Sequence, residues 1–178
     1  MRIDFKEYQT LTHNQSIEIL NIRNLDYIRK NMVTNELISL HNHLRWIESL
    51  QNNSEKKYFA LLYNDEVIGS CSWVEEENRF TWGIFFKNGT NPIITSVCGY
   101  LFLEHCFVND DISRLDSLVK KENSIAFQFN KNFGFELYKE EEEYFYLKLD
   151  KEKWEKNKKS RLIKSIQKYL DKIIYQFS

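Results

Sequence analysis

Between Lys57 and Phe86 the chain reads KYFALLY, EVIGSCSWV and RFTWGIFF, three short runs rich in aromatic and β-branched residues. Asn64-Asp65 separates the first two, and Glu75 to Asn78 separates the second from the third. Such side chains fit a pleated, half-buried surface, and short polar connections between them permit tight turns. The segment is therefore expected to form three consecutive strands in an antiparallel meander.

Around this meander the apolar spacing changes. Ile3, Phe5 and Tyr8 lie near period two and predict a short opening strand. Ser16 to Asn24 predicts a helix whose apolar face is supplied by Ile17, Leu20, Ile19 and Ile22. Ser39 is an N-cap candidate for a second helix, in which Leu40, Leu44, Ile47 and Leu50 recur at spacings of four and three. Asn91-Pro92 resembles a cap and first helical position, and Ile93 to Phe107 is apolar almost all round, so a buried helix is expected there. DISRLDSLV reads as a strand, NSIAFQFNKNF as a helix ending at Gly134, and FELYKE with EYFYLKL as a final hairpin. The expected order is β-α-α-β-β-β-α-β-α-β-β, with a helical tail.

A length of 178 residues with 42% hydrophobic side chains suits one globular core, and no Pro-, Gly- or Ser-rich linker or internal repeat divides it. The 25 basic and 26 acidic side chains leave a formal charge of −1, which gives no global basic excess to attract nucleic acid or an anionic membrane. One composition shift comes near Asp150. Residues 151–178 carry nine Lys/Arg and three Asp/Glu, a net +6, against −7 for residues 1–150. Leu162, Ile166, Leu170, Ile173 and Phe177 recur every three or four residues in this tail and predict an amphipathic helix. Its cover is expected to be the acidic body or a second subunit, which would make a homo-oligomer through the C-terminal helix. The expected division is residues 1–149 as one domain and 150–178 as a basic amphipathic helical tail. MRIDFKEYQT lacks the layout of a signal peptide and no run reaches ~18 apolar residues, so a soluble, cytoplasmic protein without membrane contact is expected. Cys71, Cys98 and Cys106 are odd in number and lack a C-x-x-C pair, which suits reduced core residues.

Two stretches carry a family likeness. Asn123-Ser-Ile-Ala126 leads through Asn130-Lys-Asn-Phe-Gly134-Phe135, and Trp82-Gly83-Ile84-Phe85-Phe86 precedes the apolar helix. With the element order over residues 1–149, they resemble the GNAT family of acyl-coenzyme A-dependent N-acyltransferases. The resemblance implies an α/β GNAT fold, a mixed, mostly antiparallel sheet with helices on both faces, here followed by a C-terminal amphipathic helix. It also implies acetyl-CoA as acyl donor. Ile22-Arg23-Asn24, Ser39-Leu40, His43-Leu44-Arg45-Trp46-Ile47, Lys57-Tyr58-Phe59 and Gly83-Ile84 are similar to the PseH-type subgroup, which acetylates a nucleotide-linked 4-amino sugar. A small-molecule acceptor of that class follows by resemblance, with no nucleic-acid or membrane partner.

The same resemblance assigns roles. Backbone at Ile84 and Phe85 would polarise the thioester carbonyl, and Asn130 would stand beside the sulfur, making Asn130, Ile84 and Phe85 the catalytic set. The acyl donor would be held by Ile84, Phe86, Lys87, Asn88, Gly89, Thr90, Asn91, Asn123 and Asn130. A turn before a helix N-terminus suits a pyrophosphate, with Gly89 allowing close approach, Lys87 supplying charge and the Thr90 hydroxyl a hydrogen bond. Arg23, Trp82 and His43 would bind the acceptor, Arg23 at a diphosphate, Trp82 by stacking and His43 in the cleft. The chain departs from the family at two points. Phe86 to Asn91 keeps only the first glycine of the Arg/Gln-x-x-Gly-x-Gly/Ala run, and Asn130 stands where a proton-donating tyrosine is usual. A carboxamide donates a hydrogen bond but supplies no proton at neutral pH.

His13, His41, His43 and His105 show no ligand spacing, and His41 and His43 would lie about 200° apart around a helix, so no metal site is expected. Glu75-Glu76-Glu77 and Glu140 to Glu143 read as exposed turns. Two other functions stay open at this level: a GNAT enzyme acting on a protein N-terminus or small amine, and a non-catalytic GNAT binding module.

Overall fold

The computed structural model describes residues Met1–Ser178. The chain divides into two compact units, the first made of Met1–Val74, Gly83–Asn91 and Lys172–Ser178, the second of Glu75–Trp82 and Pro92–Asp171.

In the first unit β1 (Arg2–Glu7) pairs antiparallel with β2 (Lys56–Tyr63), which pairs antiparallel with β3 (Glu66–Glu76). The turn between β2 and β3 is Asn64-Asp65, both residues at positive φ, the geometry of a two-residue hairpin turn. Helices α1 (His13–Arg23), α2 (Asp26–Arg29) and α3 (Leu40–Ser49) lie between β1 and β2 in sequence. Thr12 and Gln15 form a capping box on α1, and Ser39 caps α3 through the Asn42 amide, as its position before the apolar repeat led us to expect. Tyr8, Ile19, Ile22, Ile28, Leu50, Ala60, Leu62 and Val67 form an apolar cluster, with Tyr27, Trp46, Tyr58 and Phe85 packed at its margin.

β4 (Arg79–Phe86) begins in the second unit and ends in the first. In the second unit its start pairs parallel with β5 (Arg114–Lys120) in a register covering Phe80↔Leu115 and Thr81↔Asp116. β5 pairs antiparallel with β7 (Tyr144–Asp150), and β7 with β6 (Glu136–Glu140). Helix α4 (Pro92–Glu104) starts at the expected proline, is buried along most of its length and runs into one wider π-helical turn, His105–Asn109. Helix α5 (Ser124–Asn132) starts at Asn123. Through β4 the eight strands run in the order β6-β7-β5-β4-β3-β2-β1-β8, a mixed sheet of the expected type.

The tail departs from a single helix. It forms α6 (Lys151–Asn157), α7 (Arg161–Leu170) and β8 (Ile174–Phe177). Ser160 caps α7 and breaks the run before it, while Asp171 ends it. Apart from Gln176, Ile173 to Phe177 is β-branched or aromatic, and the chain from Ile174 pairs parallel with β1 from Arg2↔Ile174 to Phe5↔Phe177, where the two phenylalanine rings stack at 4.1 Å. α7 buries Ile163 and Ile166 and donates from Gln167 to the Tyr100 hydroxyl of α4 at 3.2 Å. The tail's charges meet acids of the same unit, Lys151 with Asp111, Lys153 with Glu136 and Lys158 with Glu104. Cys71, Cys98 and Cys106 are free and buried, and no helix is long and apolar enough to cross a membrane.

Candidate acyl-transfer site

In the second unit α5 is organised by its own asparagines. Asn123 Oδ1 accepts from the Ala126 amide at 3.0 Å and so caps the helix, and four residues further on Asn130 Nδ2 donates to the Ala126 carbonyl at 2.8 Å. Trp82 Nε1 donates to Asn130 Oδ1 at 3.0 Å. These bonds fix which end of the carboxamide is oxygen, and leave one amide proton of Nδ2 beyond the Ala126 bond. Trp82 lies buried against Phe135 at 5.0 Å and Phe102 at 6.4 Å, both nearly parallel to it. With its single donor given to Asn130 it is a packed anchor for the start of β4. Gly134, at φ +95°, ends α5, and Phe135 is fully buried behind it.

In the first unit the end of β4 is shaped by β3. The β2–β3 register slips between Leu61 and Leu62, leaving Ile68 as an extra residue on β3. Beside it, a Cβ on Gly69 would stand 2.1 Å from the Phe85 carbonyl oxygen, so only glycine admits this approach of β4. The Lys87 amide then donates to the Ile68 carbonyl at 2.7 Å. Downstream, Asn88 N–H donates to the Tyr27 hydroxyl at 2.8 Å, and the Thr90 amide and hydroxyl both donate to the Lys87 carbonyl at 3.2 and 2.7 Å. Lys87 Nζ pairs with Glu66 at 2.7 Å, which raises the ammonium pKa. The Thr90 hydroxyl proton, expected to face a phosphate, is spent inside the loop. Gly89 is the open point, at φ +84° with nothing within 4 Å of where a Cβ would be. Asn91 is exposed and precedes the first residue of α4.

Arg23 and His43 both belong to the first unit. Arg23 Nη2 donates to the Thr34 carbonyl at 3.0 Å, while its Nη1 is buried without a partner. Burial lowers the guanidinium pKa, with Tyr8 opposing and Arg29 adding to the shift. His43 is buried beside Tyr8 and Trp46, its ring centroid 6.2 and 5.9 Å from theirs, and its Nε2 has no partner. Burial lowers its pKa against a backbone hydrogen bond at Ser16 that raises it, so a neutral imidazole with an acceptor nitrogen is favoured. The Tyr8 hydroxyl donates to Ser70 Oγ at 2.8 Å, and burial first of all pushes its pKa well above the ordinary phenol range. In the second unit the Tyr100 hydroxyl accepts from Gln167, and Tyr138 lies half-exposed on β6 under the Arg114 guanidinium.

Tyr27, Glu66 and Gly69 were not singled out by the sequence. Their roles depend on contacts across 61, 21 and 16 residues, and no local pattern signals them.

Residues 3–151 match the family described as Acetyltransferase (GNAT) domain. The chain belongs to the GNAT acetyltransferase family. This GNAT chain is 24% identical over 149 residues to Acetyltransferase PseH of Campylobacter jejuni serotype O:23/36, covering 82% of this chain and 92% of that protein. Against Acetyltransferase PseH of serotype O:2 it is 28% identical over 148 residues, with the same coverage. The crystal structure of the Campylobacter jejuni N-acetyltransferase PseH with acetyl coenzyme A superposes with a TM-score of 0.68 at 21% identity, over 83% of this chain and 98% of that one. FdhC, described as a nucleotide-linked sugar GNAT, gives 0.70 at 23% identity, over 83% and 88%. At these identities the superpositions establish the GNAT fold.

Proposed function

We propose that this GNAT acetyltransferase moves the acetyl group of acetyl-CoA to the amine of a nucleotide-linked amino sugar. Two relatives named PseH, each matched over most of its length, support the acceptor class. The observation in the molecule that carries it is Arg23, whose buried Nη1 lacks a partner and suits a diphosphate oxygen.

The chemistry is direct transfer. The neutral amine attacks the thioester carbonyl, a C–N bond forms, the C–S bond breaks, and the amine loses a proton to water. Ile84 and Phe85 lie past the β4–β5 register, which covers Phe80 and Thr81, so their backbone serves the pantetheine arm and the carbonyl oxygen. Asn123 holds the start of α5, and the second Nδ2 proton of Asn130 hydrogen-bonds the departing thiolate, which takes its proton from water. Phe86, Lys87, Asn88, Gly89, Thr90 and Asn91 form the donor loop. Gly89 is where a pyrophosphate can approach backbone, and Lys87 supplies charge. His43 contributes an acceptor nitrogen on the acceptor side, and Trp82 fixes the strand that carries the carbonyl-binding backbone.

The test is mass-spectrometric detection of an acetylated nucleotide amino sugar formed from acetyl-CoA. Gly89→Asp adds a side chain and a negative charge at an open, left-handed position. It is expected to keep the fold and weaken CoA binding by about tenfold or more. Product formation abolished in the wild type, or CoA affinity untouched in this variant, would refute the assignment or the loop respectively.

A further inference from the structure

We infer that Tyr27 is a positioning residue that couples the two substrates, holding the donor loop at Asn88 while its own helix is held by the arginine-stapled segment 24–38. This rests on the proposed function, in which Arg23 meets the acceptor's diphosphate and Lys87–Asn91 meets the donor.

Helix α2 has four residues, too few to be stable alone, so its place is set by what grips it. Ile28 enters the apolar cluster and Tyr27 packs at the margin. Met32 also packs at that margin, but past it apolar burial gives little hold, since Val33 and Leu37 are 70% and 68% exposed. Side chains staple it instead. Arg29 pairs with Asp26 at 2.6 Å and donates to the Asn35 carbonyl at 2.8 Å, and Arg23 donates to the Thr34 carbonyl at 3.0 Å. The Asn24 carboxamide closes the segment by bonding both backbone groups of Ile38, at 2.8 and 3.0 Å.

The staples are incomplete. Arg29 Nε and Arg23 Nη1 are buried without partners, and the two like charges sit close enough to disfavour each other. An anion at these guanidiniums satisfies the orphaned protons and offsets the repulsion, which tightens the segment and α2 with it. Tyr27 passes this to Asn88 through one bond of 2.8 Å, at the residue before Gly89. Because binding free energies are reciprocal, a loop ordered by the donor must tighten acceptor binding by the same factor.

The experiment uses the full chain, with UDP as acceptor-side probe and CoA as donor-side probe, by calorimetry. In the wild type, saturating UDP is expected to lower the CoA Kd about fivefold or more, and CoA to lower the UDP Kd equally. In Tyr27→Phe, which keeps the ring and removes the acceptor oxygen, each ligand should still bind while the mutual factor falls to roughly one. Hydrogen exchange on the wild type gives a readout free of any variant, with UDP alone expected to protect residues 86–90. Coupling that survives Tyr27→Phe, or ligands that bind the wild type independently without such protection, overturns the inference. UDP that fails to bind the wild type, or binds Arg23→Ala unchanged, instead overturns the acceptor assignment, and the coupling falls with it.

Discussion

Trp82 gives its only polar proton to Asn130, Nε1 to Oδ1 at 3.0 Å, within an apolar stack completed by Phe102 and Phe135. The bond ties the start of β4 to α5, the two elements on which the family likeness first rested. Asn130→Ala strands a buried indole N–H and should cost about 1–3 kcal/mol of stability in urea unfolding. Turnover should fall by less than ~10²-fold, because no proton donor is removed. Asn130→Tyr must break the Trp82 bond to fit and should lose stability without gaining rate. A larger loss of turnover in a folded alanine variant would make Asn130 an acid-equivalent after all.

Gly69→Ala places a methyl group 2.1 Å from the Phe85 carbonyl oxygen. Backbone cannot yield as a flexible side chain does, so the strands must part, at a cost of about 1–3 kcal/mol or more. CoA affinity should drop in the same variant, since the neighbouring Ile68 carbonyl anchors the Lys87 amide. Thermal unfolding and calorimetry read the two effects, and an unchanged melting temperature would contradict the close approach.

Trp154 of α6 is fully buried among Tyr100, Phe107 and Phe133, and its Nε1 donates to Glu104 at 2.5 Å. Trp154→Ala should cost about 3–5 kcal/mol, the range for deleting a large buried aromatic. A chain cut after Asp150 should lose comparable stability and expose the α4 surface to a hydrophobic dye. Wild-type stability in either variant would make the tail a free appendage.

His43 provides a pH signature. Burial lowers its pKa below the ordinary 6.5, so in acid the unfolded chain takes up its proton before the folded chain does. Its contribution to stability is therefore complete above about pH 6.5 and is lost as pH falls from there toward the depressed folded value. Melting temperatures between pH 7.5 and 5.5 should fall more steeply for the wild type than for His43→Gln, which carries no titrating ring. Parallel profiles would show that the imidazole is not held neutral.

The elements that could be read from sequence are those whose signal is local. The meander showed in the alternation of aromatic and β-branched runs with Asn64-Asp65 between them, α3 in Ser39 ahead of a three-four repeat, and α5 in Asn123 with Gly134. The tail's amphipathic helix is present as α7, but the helical spacing from Leu162 to Phe177 runs on across the break at Asp171, and only the parallel partner β1 makes Ile174–Phe177 a strand. The loop over residues 87–91 was visible as a loop, yet its inner bonding was not. That the Thr90 hydroxyl turns to Lys87 and Asn88 is held by Tyr27 depends on geometry that residue types do not encode. Arg23 and His43 were named from a resemblance, and the structure adds their unpartnered buried nitrogens.

The measurement closest to the central claim is kcat/KM with acetyl-CoA for a nucleotide-linked 4-amino sugar, the same amino sugar without its nucleotide, and a polyamine. A site that uses buried guanidinium donors on a diphosphate should reject acceptors lacking it by about 10²-fold or more. The account predicts that order of preference, with the advantage reduced in Arg23→Ala. Equal turnover of the free sugar, or preference for the polyamine, would contradict it.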